Sequence, residues 1–284
     1  MGAIEPLDGA ALADGEPTVA TASEARAVRR FSDGASVDAS ADIASEAPVA
    51  FEYNGISHAV MLATPADLHD FAIGFSLSEG IARPSQCYGV EVRESAAGIT
   101  LAIEIASAAF ALLKRHRRTL AGRTGCGICG AESLEQVLRP LPDLSPARLR
   151  ISPAALARAH AHLADVQPLQ QRTGAAHGAV WCGLDGSLVC AREDVGRHNA
   201  LDKLIGALAR DGIDNSAGFA LVTSRASVEM VQKCASAGIA VLAAVSAPTA
   251  LAVQVAEGCG QTLIGFARGP TFSVYAHGER IAGG

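Results

Sequence analysis

Basic charge is scarce in this chain: 23 Lys and Arg stand against 29 Asp and Glu in 284 residues, for a formal charge of −6. That balance excludes a protein that grips nucleic acid through a broad basic surface. Long apolar runs are missing as well. The longest clean one, 239–245, is strand-sized and far short of the roughly 20 residues that cross a bilayer. Residues 1–48 contain no apolar stretch of signal-peptide length, and Arg29-Arg30-Phe31 is followed by polar residues where a twin-arginine signal needs apolar ones. The expectation is a cytoplasmic protein that engages neither nucleic acid nor membrane. The sequence also lacks internal repeats and coiled-coil heptads, and it has no second Cys-Xaa-Xaa-Cys or His pair to complete a four-ligand structural zinc site.

At 49% apolar the chain has the material for a large core, and 284 residues allow two domains on a scale of roughly 150 residues each. Seven cysteines is an odd number in a chain too long to need disulfide staples. That fits a reducing compartment, where a close Cys pair is catalytic or metal-binding. Such a pair stands at Cys126 and Cys129, inside Gly-Arg-Thr-Gly-Cys-Gly-Ile-Cys-Gly at 122–130. Glycine enters turn conformations at little steric cost, so these glycines imply a mobile loop with unshielded sulfurs. Arg123 favours the thiolate, the reactive form of the thiol. Just upstream, Lys114, Arg115, His116, Arg117 and Arg118 either suit a helix C-terminus or form a basic approach to the loop for an anionic ligand. The remaining cysteines read as inert. Cys234 and Cys259 fall on or beside apolar helix faces, and Cys182 and Cys190 flank the Asp185-Gly186 turn out of register for a disulfide.

The composition of 1–48 predicts a disordered tail. Strands are expected at 49–53 and 56–63 around Asn54-Gly55, a strong hairpin signal because both turn positions take positive φ. Thr64 then reads as N-cap of a helix that Gly80 closes, and a second hairpin follows at 90–93 and 99–105. A helix at 108–120 leads to the thiol loop, a short helix at 132–138 and a Pro-rich linker. The domains are thus 1–48 tail, 49–121 small α/β unit, 122–150 thiol loop and linker, and 151–284 C-terminal domain. In that last domain, a capped helix from Ser152-Pro153, a hairpin and alternating strands and helices predict α/β architecture with parallel pairing.

Ligands of open α/β sheets bind beyond the carboxyl ends of the strands. Two corners there look alike: Ser224-Arg225-Ala226-Ser227 after one strand and Ser246-Ala247-Pro248-Thr249 after the next. Each sets hydroxyls at a helix N-terminus, which suits a phosphate. Ordinary capping explains the same pattern. The polar run Arg192-Glu-Asp-Val-Gly-Arg197-His198-Asn199 reads either as a cleft lining, with Arg197 and His198 facing the ligand, or as a structural ion-pair knot. The segment 265–271 adds an aromatic face and a guanidinium around a Gly-Pro turn.

Spacing alone leaves three roles for Cys126 and Cys129: a thioredoxin-like redox pair, a zinc site joined by His116 and His177, or a carrier thiol holding persulfide sulfur. A resemblance bears on this choice. Arg123–Gly130, His177-Gly-Ala179, Arg192–Lys203, Ser224-Arg-Ala-Ser227, Ser246-Ala-Pro-Thr249 and Phe266-Ala-Arg268 together resemble the formate dehydrogenase accessory sulfurtransferases (FdhD family). The resemblance implies a small N-terminal hairpin-helix-hairpin α/β domain and a three-layer C-terminal domain similar in fold to cytidine deaminases. Deaminase chemistry is not implied, since His177-Gly178-Ala179 has no Glu for the proton shuttle and no Pro-Cys-Xaa-Xaa-Cys follows. The implied activity is sulfur transfer. Cys126 would hold persulfide sulfur from a cysteine desulfurase and Cys129 would assist. The acceptor would be the molybdenum bis(molybdopterin guanine dinucleotide) cofactor, before its insertion into formate dehydrogenase. Phe266, Ala267, Arg268, Gly269, Pro270 and Thr271 would contact that cofactor, joined by Ser224, Arg225, Ser246, Thr249 and His198. GDP-like nucleotides would fit the same site. No bound metal of its own and a homodimeric state are further expectations. The rival classes are a dithiol-disulfide oxidoreductase and a non-enzymatic cofactor chaperone.

Overall fold

A computed structural model describes residues 21–121 and 139–283. The chain first forms a two-stranded ribbon, β1 (Ser23–Ser32) and β2 (Ala35–Ala44), turning at Asp33 and Gly34, both at positive φ. Of the tail expected at 1–48, residues 1–20 lie outside the described residues, and 23–44 form this hairpin instead. Next come β3 (Ala47–Tyr53), β4 (Ile56–Ala63), α1 (Leu68–Ser78), β5 (Cys87–Ser95), β6 (Gly98–Ile105) and α2 (Ser107–Ala121). The strands order as β4-β3-β6-β5. Asn54 and Gly55 both take the expected left-handed conformation, and the Asn54 amide also clamps the backbone of Ile105, donating to its O at 3.0 Å and accepting from its N at 2.8 Å. Phe51, Phe71, Phe75 and Leu101 form the core on the α1 face of this sheet.

The C-terminal unit contains α3 (Pro153–Ala161), α4 (Pro168–Thr173), β7 (His177–Gly183), β8 (Leu188–Asp194) and α5 (Arg197–Arg210). β9 (Gly218–Val222), α6 (Val228–Ser236), β10 (Val241–Ala244), α7 (Ala250–Cys259), β11 (Thr262–Arg268) and β12 (Thr271–Ala276) follow. Six strands order as β12-β11-β10-β9-β7-β8. Pairing is parallel only among β9, β10 and β11, while β7 runs antiparallel to both β8 and β9. Strand alternation sends Ala220 and Val222 to a core shared with α5, α6 and α7. Phe219 and Leu221 go to the opposite core, under α3 and residues 141–151. The sheet is thus the middle of three layers. The Pro-rich segment is no loose linker: Leu144 and Leu149 are buried, and the Arg280 guanidinium donates to Leu144 O at 2.6 Å and Gly260 O at 2.9 Å.

The two units are locked together. Helix α1 crosses α5 so closely that a Cβ on Gly74 would lie 1.6 Å from Asp202 O, and one on Gly206 would lie 1.9 Å from Asp70 O. Only glycine permits that approach. At one end of the crossing, buried Lys233 donates to Asp202 at 2.9 Å and to Glu79 at 2.6 Å; at the other, Asp70 holds Arg192 and Arg210.

Candidate functional site

Because β7 reverses twice between β8 and β9, strands β8, β9, β10 and β11 all point the same way. The helices that follow β8, β9 and β10 are α5, α6 and α7, and all three begin at that one end of the sheet. Each brings unpaired N–H groups and a partial positive charge to the same surface. The two Ser-rich corners are directly joined: Ala226 N donates to Ala247 O at 3.2 Å and Thr249 N donates to Ala226 O at 3.1 Å. They form one surface, but their hydroxyls differ. Thr249 Oγ1 caps α7, accepting from Ala252 N at 3.3 Å, so ordinary capping accounts for it. Ser227, at the N-cap position of α6, makes no such bond, and its buried Oγ lacks a hydrogen-bond partner among the described residues. Ser224 is buried, with its hydroxyl donating to Arg225 O at 3.0 Å; the Arg225 side chain is exposed and Ser246 is half-buried.

The polar run 192–203 contains an ion-pair knot. Asp194 and Lys203 are fully buried and paired at 2.6 Å. Around them Thr64 N donates to Asp194 at 3.0 Å, Lys203 donates to Thr64 O at 2.8 Å, and Val195 N donates to Thr64 Oγ1 at 3.1 Å. Asn199 bridges Asp194 and Leu62 O. Thr64 is therefore no helix cap. Helix α1 starts later, behind Asp67 at positive φ and without a side-chain cap, while Thr64 fastens the small unit to the start of α5. Glu193 accepts from Leu169 N and Gln170 N, both at 2.8 Å, and so ties down α4.

Arg197 and His198, in the first turn of α5, take no part in the knot. Arg197 Nε and His198 Nε2 are buried without a hydrogen-bond partner among the described residues. Glu229 on α6 stands 3.9 Å from His198 Nε2, too far to bond. Burial, and after it the Arg197 charge, push the His198 ring down to about 4, so it is neutral at neutral pH. The same two causes lower His177, at the start of β7. A cavity of about 450 Å³ opens beside His177 and Thr223, between them and Gln167 and Gln170. A larger one, about 760 Å³, lies elsewhere, between α1, α2 and α5 near Pro140 and Pro142. Its lining is mostly apolar, so it is a poor match for a charged ligand.

On the opposite side of the corners, β11 ends in a bulge. Phe266 takes φ +52, costly for a residue with a side chain, and holds its ring 42% exposed. Its N–H donates to Ser246 O at 3.1 Å, and Arg268 Nε donates to Val245 O at 2.9 Å, so the segment is pinned to the β10 corner. Ala267 is buried, Gly269 turns at φ +56, Pro270 and Thr271 are exposed, and Thr271 Oγ1 donates to Arg268 O at 3.2 Å.

The structure thus brings Ser224, Arg225, Ser246, Thr249, His198 and the 266–271 segment to one end of one sheet. Cys126, Cys129 and the helix expected at 132–138 lie outside the described residues. The sequence reading did not single out Ser227 alone or Glu229. Their signal is slight, because a Ser at an N-cap and a Glu in a first turn are what any helix uses. Cys182 and Cys190 are free and out of register, and Cys234 and Cys259 are buried, as expected. No helix among the described residues is long and apolar enough to cross a membrane.

Comparison with known proteins agrees with this architecture. The model of the FdhD/NarQ family matches residues 44–282. A protein named sulfur carrier protein FdhD from Variovorax paradoxus is 57% identical over 242 residues, spanning 85% of this chain and 87% of that one. One of the same name from Cupriavidus necator is 57% identical over 257 residues, covering 90% and 88%. Another from Xanthomonas campestris is 53% identical over 270 residues, covering 94% and 96%. Among solved structures, one described as a formate dehydrogenase accessory protein from Desulfotalea psychrophila superposes with a TM-score of 0.74 at 23% identity, over 92% of this chain and 99% of that one. At that identity the match speaks for the fold.

Proposed function

The chain belongs to the FdhD/NarQ family, and on that premise we propose that it is a sulfur carrier serving formate dehydrogenase maturation. Cys126 takes sulfur from a cysteine desulfurase and passes it to the molybdenum bis(molybdopterin guanine dinucleotide) cofactor before that substrate enters formate dehydrogenase. In the loading step, the Cys126 thiolate attacks the terminal sulfur of the desulfurase persulfide. A new S–S bond forms at Cys126, the donor's S–S bond breaks, and the desulfurase cysteine departs as thiolate. Cys129, three residues on, assists the second transfer, in which the acceptor supplies the electron pair of a new bond to the terminal sulfur, the S–S bond breaks and Cys126 departs as thiolate. This is sulfurtransferase chemistry with a covalent persulfide.

The acceptor half of the reading rests on one observation: three helix N-termini meet at a single sheet end, beside buried Arg197, His198 and Ser227 atoms that have no hydrogen-bond partner among the described residues. Buried polar atoms are nearly always bonded, so atoms left open at a surface of this kind suit a ligand. Helix N–H groups and the Arg197 and Arg225 forks match a diphosphate. The Phe266 ring offers a face on which a guanine can stack, and strain in its backbone fits a residue held for binding. Docking the acceptor makes the second transfer effectively unimolecular, an advantage of roughly 7–11 kcal/mol for well-oriented groups.

GDP is a sufficient probe of that surface. In calorimetry Arg225→Ala weakens GDP binding by roughly ten- to a hundredfold, the loss expected for a charged hydrogen-bonding group. Thr249→Ala has a smaller effect, because its hydroxyl serves the helix. Unchanged affinity in Arg225→Ala would remove the corner from the site.

A further inference from the structure

The cavity of about 450 Å³ beside His177 and Thr223 is separate from the Ser-rich corners, yet it opens at the same end of the sheet. β7 runs antiparallel to β9, so the start of β7 and the end of β9 lie side by side there. Its size falls within the roughly 300–1,000 Å³ of small-molecule sites. Its lining includes no Asp, Glu, Lys or Arg. What it offers instead is a set of neutral hydrogen-bonding groups whose capacity is only partly used.

Gln167 is the clearest of these. It is 7% exposed, and its side-chain amide bonds to no described residue, although buried amides are nearly always paired. Gly178 on β7 makes the space for that amide, since a Cβ there would lie 2.5 Å from Gln167 Nε2. Thr223 Oγ1 accepts from Gly178 N at 3.0 Å, which leaves its own hydroxyl proton to donate. Gln170 Oε1 accepts from Ala176 N at 2.9 Å, which leaves its NH₂ group open. His177, held below the usual histidine range by burial and then by the Arg197 charge, is neutral at neutral pH. Its ring therefore has one donor and one acceptor nitrogen. A lining of this kind has nothing to balance a desolvated phosphate. It matches a flat, neutral heterocycle with an amide edge. One carboxamide pairs with such an edge through two parallel bonds, accepting from a ring N–H and donating to the ring carbonyl.

Strand order says which heterocycle. Along this end of the sheet the strands run β11, β10, β9, β7, about 4.8 Å apart. Phe266 stands at the first position, the two Ser-rich corners at the second and third, and the cavity at the fourth. A pterin guanine dinucleotide has its parts in the same order: purine, diphosphate, pterin. We infer that the cavity holds a pterin ring of the acceptor, with the Gln167 amide on the ring's 2-amino-4-oxo edge. This placement rests on the acceptor proposed above and extends it, from the nucleotide to the ring system at the other end. Gln167 makes the contact, and Gly178 gives it the room to do so.

Fluorescence titration of the full chain with 6-hydroxymethylpterin, alone and after saturation with GDP, tests it. Pterin binds in both cases with the same dissociation constant. Gln167→Leu weakens pterin binding about tenfold, the loss expected for one or two hydrogen bonds, and leaves GDP affinity unchanged. Gly178→Ala pushes the flexible end of Gln167 aside. It gives the same pattern and stands in should Gln167→Leu unfold by circular dichroism. A chain that takes up no pterin at millimolar concentration overturns the inference. So does displacement of pterin by GDP, or loss of GDP affinity in Gln167→Leu, since either would put guanine in the cavity. Sulfur loading of Cys126 is read separately by mass. A protein that loads sulfur but ignores pterin defeats the pterin site alone, and one that binds pterin but never loads sulfur defeats the carrier alone.

Discussion

His198 shows how one residue beside the knot sets a solution property. Its ring is held neutral, pushed down to about 4 by burial and the Arg197 charge. The unfolded chain takes up a proton near the usual histidine value of about 6.5. Stability is therefore complete above that value, is lost as pH falls toward 4, and levels off below. The full effect is about 3 kcal/mol. In urea titrations between neutral pH and pH about 4, His198→Asn flattens this acid loss; parallel pH profiles for the two proteins would contradict it. The neighbouring Asp194–Lys203 pair is a different case. Both groups are fully buried and mutually satisfied, so they specify where α5 begins rather than meet a ligand. Two residues of similar chemistry in one run thus serve separate ends, and spacing could not tell them apart. Only the contacts to Thr64, from a distant part of the chain, do so.

Among the elements, the α1–α5 crossing fixes the relation between the two units. Gly74→Ala drives a methyl group into the Asp202 carbonyl, which has no flexible neighbour to yield. A loss of more than about 3 kcal/mol, or failure to fold, follows from overpacking backbone against backbone. Gly80→Ala, in open space at φ +67, costs about 1 kcal/mol through its backbone conformation alone. Denaturant midpoints of the two variants check the contrast; equal losses would mean that the crossing can spread. Most elements were legible because their signals are local. The Asn54-Gly55 turn, the Ser152 cap and the alternating strand and helix periods each need only neighbours in sequence. The ribbon was missed although Asp33-Gly34 and the Val37–Ile43 alternation carry its signal, because the composition of the segment reads as disorder. Thr64 was misplaced for the converse reason: its cap-like sequence is outvoted by partners some 130 residues away. The strand-end surface was legible as two separate corners. Their direct bonding, and the open atoms of Arg197 and Ser227, depend on strand order that no local pattern encodes.

At the scale of the molecule, a rigid two-unit body presents three helix N-termini and a pinned aromatic residue at one end. The β1–β2 ribbon rests at its base on α4 of the C-terminal unit. The thiol segment falls between α2, which belongs to the small unit, and Arg139, whose guanidinium donates to Glu79 at 3.1 Å and Ser78 O at 2.6 Å beside the α1–α5 crossing. Both flanks, α2 and Arg139, belong to that rigid body, which also bears the strand-end surface. This arrangement suits a carrier that loads at one partner and unloads on a bound acceptor. The decisive measurement is mass spectrometry of the peptide bearing Cys126, after incubation with a cysteine desulfurase and cysteine. One added sulfur on Cys126, removed by reductant and absent from Cys126→Ala, is the result predicted; a bare Cys126–Cys129 disulfide with no added sulfur would contradict the carrier and leave a redox pair.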